Sequence, residues 1–235
     1  MERYSRNILI DGFGQEGQAK LKAAKVLVIG SGGLGSPVLL YLAAAGIGTL
    51  GIVDFDVVEL SNLQRQTLHF TADIGADKVL SASRKLHALN PEVEILTYSE
   101  RFTPDNAALL ISPYDFIVDC CDNFATKFLI DDVCVQLQKP YVHASVVALQ
   151  GEVMTYTPGS VCYRDVFTGQ PADEHAIRSS DVGILGAMAG IVGSIQATEV
   201  IKYFIGIGGL LTNRLLLIDG RTMNFHCLKV NPLAP

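Results

Sequence analysis

The sequence predicts a doubly wound α/β sheet, Rossmann-like and mostly parallel, with antiparallel strands at its C-terminal end. Three observations carry that expectation. Short apolar runs alternate with Ala- and Leu-rich helical stretches, and a glycine-rich turn follows the first run directly. The composition, 49% hydrophobic and 18% charged with 22 glycines, suits strands covered on both faces.

The elements follow in order. Residues 15–24 have helical composition and lead into the apolar run 25–29, which ends at Gly30. Residues 34–45 read as a helix with a glycine stop at Gly46, and 49–53 as a strand ending at Asp54. A helix over 76–89 is stopped by Asn90-Pro91, because the residue before proline disfavours helical backbone, and a third strand covers 93–97. A short helix after Pro104, a strand over 116–119 and a helix over 125–138 come next. Strands 141–147 and 152–156 are separated by Gly151.

The polar stretch 158–181 is too long for a plain connection and reads as a crossover lid or partner clamp. The apolar run 182–195 falls short of the roughly 20 residues needed to cross a bilayer, so it reads as part of a buried helix over 185–204. Its small residues Gly186, Gly190 and Ser194 would permit close approach of another helix or subunit. Strands over 214–218 and 222–228 close the chain, and 235 residues suit a single domain spanning 1–235.

The formal charge of -6 leaves no basic stripe for a nucleic-acid backbone, which excludes nucleic acid as the main partner. No membrane association is expected either. The start MERYSRNILI lacks the pattern of a secretory signal. Cys120, Cys121, Cys134, Cys162 and Cys227 are odd in number and without CxxC spacing, so they fit a reducing cytoplasm better than a disulfide framework. Cys120, Cys121 and Cys134 fall on predicted buried elements and read as inert core thiols.

The chemistry starts at Gly30-Ser31-Gly32-Gly33-Leu34-Gly35. Glycines between a strand and a helix let backbone approach phosphates, and the helix N-terminus offers free N–H groups. Asp54, at the end of the next strand, is placed for a ribose hydroxyl. These features alone leave NAD(P)- or FAD-binding open. Arg65 and Lys78 separate the readings, since a triphosphate brings charge that needs nearby cations. Asp122, in Asp119-Cys-Cys-Asp122-Asn123, could hold Mg²⁺ against phosphate oxygens, or Asp122 or Asn123 could cap the following helix. His143 reads as a satisfied core or site-lining histidine, while His69, His87, His175 and His226 show no metal-ligand spacing. Tyr163 and Arg164 read equally as contacts for a partner's tail or as exposed loop positions.

The stretches RYSRNILIDGFG, GSGGLGS, SNLQRQ, DCCDN and GIVGSIQATEVIK resemble the ThiF/MoeB/HesA family, bacterial relatives of ubiquitin-activating E1 enzymes, from about residue 3 to residue 228. The resemblance implies ATP-dependent adenylation of the C-terminal glycine carboxylate of a small ubiquitin-like sulfur carrier, for thiamin or molybdopterin sulfur transfer. Carried over by motif, Gly33 lines the phosphate turn, Asp54 meets the ribose, and Asn62, Arg65 and Lys78 hold the triphosphate. Asp122 would hold magnesium, and Asp56, Gln66 and Asn123 complete the expected nucleotide set. Arg6 matches an arginine that reaches the neighbouring subunit's triphosphate, which implies a homodimer.

Two departures stand out. Family members with a structural zinc carry two CxxC pairs, but the first reads Cys162-Tyr-Arg-Asp165 and the second is missing, so no zinc is expected. Where some members place a cysteine for a covalent thiol link, this chain has Ser179-Ser180-Asp181. An oxidoreductase using NAD(P) or FAD, and a non-catalytic carrier-binding scaffold, stand as alternatives.

Overall fold

The structure, a computed structural model, describes residues 2–168 and 182–231. Its strands are β1 (Lys25–Ile29), β2 (Thr49–Val53), β3 (Glu94–Tyr98), β4 (Phe116–Asp119), β5 (Tyr141–Val147), β6 (Gln150–Tyr156), β7 (Arg214–Asp219) and β8 (Asn224–Lys229). They form one sheet in the order β3-β2-β1-β4-β5-β6-β7-β8. The pairs from β3 through β5 are parallel, and those from β5 through β8 antiparallel. This is the expected class, and β1, β2, β4 and β5 have the expected bounds.

The principal helices are α1 (Ser5–Ile8), α2 (Gly14–Ala23), α3 (Gly35–Ala45), α4 (Lys78–Leu89), α5 (Ala107–Ile111), α6 (Phe124–Gln136), α7 (Tyr163–Val166) and α8 (Gly186–Ile205). They cover both faces of the sheet. Successive residues of β1 point to opposite sides, so Val26 and Val28 join Leu39, Leu42 and Val192 in one core, while Leu27 and Ile29 join Tyr114 and Phe128 in the other. The helix α3 stops where its sequence says it should. Gly46 takes a left-handed φ of 82°, its N–H returns to the Ala43 carbonyl at 3.1 Å, and a Cβ there would strike the Tyr4 ring.

Three expectations need correction. Gly151 does not separate β5 from β6 but lies inside β6, paired with Val146; the tight turn is at Ala148, which has φ 52°. Glycine is needed at 151 for packing, because a Cβ would come within 2.4 Å of Val192 on α8. The apolar run does not enter its helix at once: Ile184 bridges to Ala148 in parallel fashion, and α8 begins at Gly186. Gly186 packs inside the chain, where a Cβ would meet the Gln64 carbonyl at 2.3 Å.

The third concerns the stretch 158–181, whose described part is not a plain polar loop. The buried Asp131 carboxylate accepts the Tyr141 hydroxyl at 2.6 Å and the N–H groups of Tyr163 and Arg164 at 3.2 and 3.0 Å. That fixes α7 against α6. Tyr163 is therefore a core ring, packed edge-on to Phe128 and tilted over His143, rather than a tail contact or an exposed position. His175 and Ser179-Ser180-Asp181 lie outside the described residues.

The sheet order reverses between β1 and β4, with β2 and β3 to one side and β5 to the other. Connections leave such a switch point in opposite directions, which opens a crevice at the carboxyl ends of the strands.

Candidate nucleotide cleft

A cleft of about 890 Å³ occupies that crevice. Gly30, Gly32 and Gly33 come from the turn after β1, Asp54 and Asp56 from the end of β2, and Asp122 and Asn123 from the turn after β4. Arg65, Gln66 and Lys78 close one side. Ten of the predicted nucleotide-binding positions thus line one cavity, although they span the sequence from 30 to 123.

The glycine turn is sterically determined. Gly30 has φ 99° and a Cβ there would stand 2.7 Å from the Cys120 carbonyl, which lies across the switch point on the β4 side. At Gly35 a Cβ would come within 2.1 Å of the Gly30 carbonyl, so that glycine closes the turn from behind and does not line the cleft. Asp54 is buried and braces the turn: Oδ2 accepts the Ser31 N–H at 2.8 Å and its hydroxyl at 2.9 Å, and Oδ1 accepts the Asp56 N–H at 3.0 Å. A carboxylate has further lone pairs for a ligand hydroxyl.

The two cations differ in setting. Lys78, the first residue of α4, is buried and pairs with Asp56 at 2.8 Å. Arg65 is half-buried, donates to the Ser61 carbonyl at 3.1 Å and packs its stem along Gly33. Across the cleft, Asn123 caps α6 by accepting the Thr126 N–H at 2.9 Å. That leaves the exposed carboxylate of Asp122 without a hydrogen-bond partner among the described residues.

Besides Gly35, two predicted positions lie elsewhere. Asn62 is buried but turned into its own 3-10 turn, accepting the Glu59 N–H at 3.3 Å, and does not line the cleft. Arg6 is exposed on α1 and is likewise absent from the cleft wall.

Lys127 and Arg101 line the cleft but escape sequence reasoning. Lys127 is buried, donating to Asp119 at 3.2 Å and to the Ala144 carbonyl at 2.7 Å. His143 reaches the same Asp119 oxygen at 2.7 Å, as a satisfied core histidine should. Burial alone would raise the Asp119 carboxyl, but Lys127 and the hydrogen bond from His143 outweigh it and lower the pKa to about 2. At the far rim the Arg101 guanidinium stacks 3.8 Å over the Phe55 ring. Arg164 does reach the mouth of the cleft, where it pairs with Asp132 at 2.5 and 2.7 Å. Cys121 is not fully buried as its strand-end position suggested, but lines the wall; burial pushes its thiol well above the ordinary value, so it is a poor nucleophile.

The model of the ThiF family matches residues 4–235. The chain belongs to the ThiF family. Among curated relatives it is 47% identical over 234 residues to the adenylyltransferase and sulfurtransferase MOCS3 of Anopheles gambiae, covering 99% of this chain and 53% of that protein. To the MOCS3 of Bos taurus it is 44% identical over 236 residues, covering 100% of this chain and 52% of the relative. The chain thus spans about half the length of the curated relatives it matches. Among solved structures, E. coli MccB with ATP superposes with a TM-score of 0.87 at 25% identity, covering 99% of this chain and 72% of that one. MccB with AMPCPP and MccA gives a TM-score of 0.84 at 25% identity, covering 98% and 72%. Among the described residues no helix is long and apolar enough to cross a membrane.

Proposed function

We propose that this ThiF-family chain is an adenylyltransferase that uses ATP to activate the C-terminal glycine carboxylate of a small ubiquitin-like sulfur carrier ending in Gly-Gly. One observation carries the reading: Arg65, Lys78 and Asp122, whose carboxylate meets no hydrogen-bond partner among the described residues, face a single cleft over the glycine turn. A dinucleotide's diphosphate is largely satisfied by the turn and the helix N-terminus, whereas a third phosphate calls for added cations. The MOCS3 relatives are named for adenylyl and sulfur transfer, and MccB was crystallised with ATP. Neither an oxidoreductase nor a non-catalytic scaffold has comparable support.

The chemistry needs few groups. A terminal carboxylate is ionised near neutral pH and already nucleophilic, so no general base is required. Its oxygen bonds to the α-phosphorus while the bond from that phosphorus to the α–β bridging oxygen breaks, leaving an acyl adenylate and releasing pyrophosphate. Arg65 and Lys78 offset the charge that gathers on the departing phosphates, and Asp54 and the glycine turn orient the nucleotide. Asp122 fits Mg²⁺, a cation that favours one or two carboxylates plus phosphate oxygens over an all-protein cage. When bound, Mg²⁺ would neutralise phosphate charge.

Arg6 is assigned to the cleft of a second copy in a homodimer, which accounts for its place on α1 away from its own cleft. A cytoplasmic setting suits the five free cysteines, of which Cys227 is exposed.

The test is carrier-dependent ATP–pyrophosphate exchange. Exchange is expected only when a small protein ending in Gly-Gly is added, and a carrier lacking that tail should give none. If wild-type protein binds ATP yet exchanges nothing with sulfur carriers of the thiamin and molybdopterin types, the reading is wrong.

A further inference from the structure

We infer that His69 is a positioning residue for the nucleotide phosphates: by fixing the Ser31 carbonyl it aims the Gly32 N–H into the cleft. The inference rests on the nucleotide reading above and adds a residue to it.

Ser31 is fully buried and is held from both ends. Asp54 takes its N–H and hydroxyl, and His69 Nε2 lies 2.9 Å from its carbonyl oxygen. A carbonyl oxygen only accepts, so Nε2 carries the proton. His69 Nδ1, 2.9 Å from the Ser81 hydroxyl, must then accept. The Ser81 oxygen in turn accepts the Lys85 ammonium at 2.7 Å, and Lys85 pairs with Asp73. Each donor in this chain dictates the next, and the tautomer of a buried ring is thereby set. Burial also lowers the pKa of the imidazole, which keeps it neutral.

The consequence appears one peptide further on. The peptide bonds of the described residues are all trans, and a trans unit points its N–H opposite to its C=O. With the Ser31 carbonyl turned inward to His69, the Gly32 N–H must point outward, and Gly32 lines the cleft. Among the described residues the N–H groups of Gly32 and Gly33 meet no acceptor, whereas the neighbouring Ser31 and Ser36 N–H groups are paired. Two donors without an acceptor among the described residues, that of Gly32 preset by His69, stand just before α3 and suit phosphate oxygens. Losing His69 would free the Ser31–Gly32 peptide to rotate.

Calorimetric titration of the full chain with ATP and with adenosine tests this. His69→Leu, close in size but without a donor, should weaken ATP about tenfold, the loss typical of one misdirected hydrogen bond. It should leave adenosine within about twofold, since adenosine has no phosphate for Gly32 to meet. His69→Gln, whose amide can still donate to Ser31, should recover most of the loss. If His69→Leu fails to fold by circular dichroism, Ser81→Ala removes the partner that sets the tautomer and should show the same selective weakening. Equal ATP affinity in the variant and the wild type, or parallel losses for ATP and adenosine, would overturn the inference. Wild-type protein that binds no ATP would instead sink the nucleotide reading and this inference with it.

Discussion

The Lys78 ammonium lies 2.8 Å from the Asp56 carboxylate, a buried cation steadied by an acid that is itself half exposed on the cleft wall. The pairing holds the positive charge at the cavity without cancelling its use, because Asp56 can release it to a more highly charged phosphate. Lys78→Ala should therefore reduce kcat/KM for pyrophosphate exchange by on the order of 100-fold. Asp56→Asn should cost less than about tenfold, since the cation remains. Steady-state exchange kinetics decide it, and a Lys78→Ala variant with near-normal kcat/KM would place the working cation elsewhere.

Arg65 is only half-buried, and its nearest polar contact is the Ser61 carbonyl. Arg65→Ala should raise the Kd for ATP about tenfold, and Arg65→Lys should restore only part, because an ammonium lacks the planar two-pronged donor set. Unchanged affinity in Arg65→Ala would mean that this side chain does not meet the phosphates.

Asp122 and Asn123 are adjacent but separable. Asn123 caps α6, so Asn123→Ala should lower stability by about 1 kcal/mol, read as a lower midpoint of denaturant unfolding. Asp122 is exposed and holds up no helix, so Asp122→Ala should abolish exchange while leaving the unfolding midpoint where it was. Robust exchange in that variant would remove Asp122 from the metal's side of the reaction.

The Asp119 carboxyl supplies an acid limit. Its pKa falls from the ordinary 3.8 to about 2 in the folded chain, so the folded state favours the ionised form. Stability from this group is complete above about pH 5 and is lost as the pH drops through 4 towards 2, amounting to on the order of 2 kcal/mol. Asp119→Asn should flatten the fall in unfolding free energy over that interval. An acid profile unchanged by the substitution would show that other groups set it.

What the sequence discloses follows from how local each signal is. Strands β1, β2 and β4 are legible because a parallel strand covered on both faces is a nearly continuous apolar run, as in residues 26–29. That the glycine turn, Asp54 and Asp122 line one cleft is legible because all three stand at the carboxyl ends of strands, and Arg65 and Lys78 join them there through the motif that follows the second strand. Gly151 misleads because a glycine between two apolar runs looks like a turn, when its purpose is to admit Val192 from a helix some forty residues away. Asn62 sits in the most telling motif of the chain, yet its side chain serves its own turn. Lys127 and His69 are invisible for another reason: each acts through a partner set by tertiary folding, Asp119 in one case and Ser31 in the other.

Asp119 and His143 are also register partners across the β4–β5 pairing. Slipping β5 by a single residue would turn the imidazole to the opposite face and take one hydrogen-bond donor from the buried Asp119, leaving Lys127 as its ionic partner. Losing that hydrogen bond to a buried carboxylate costs about 1–3 kcal/mol. The charged cluster thus penalises a slipped β4–β5 register, while the β1–β4 pairing of Ile29 with Asp119 brings the turn that bears Asp122 beside Gly30.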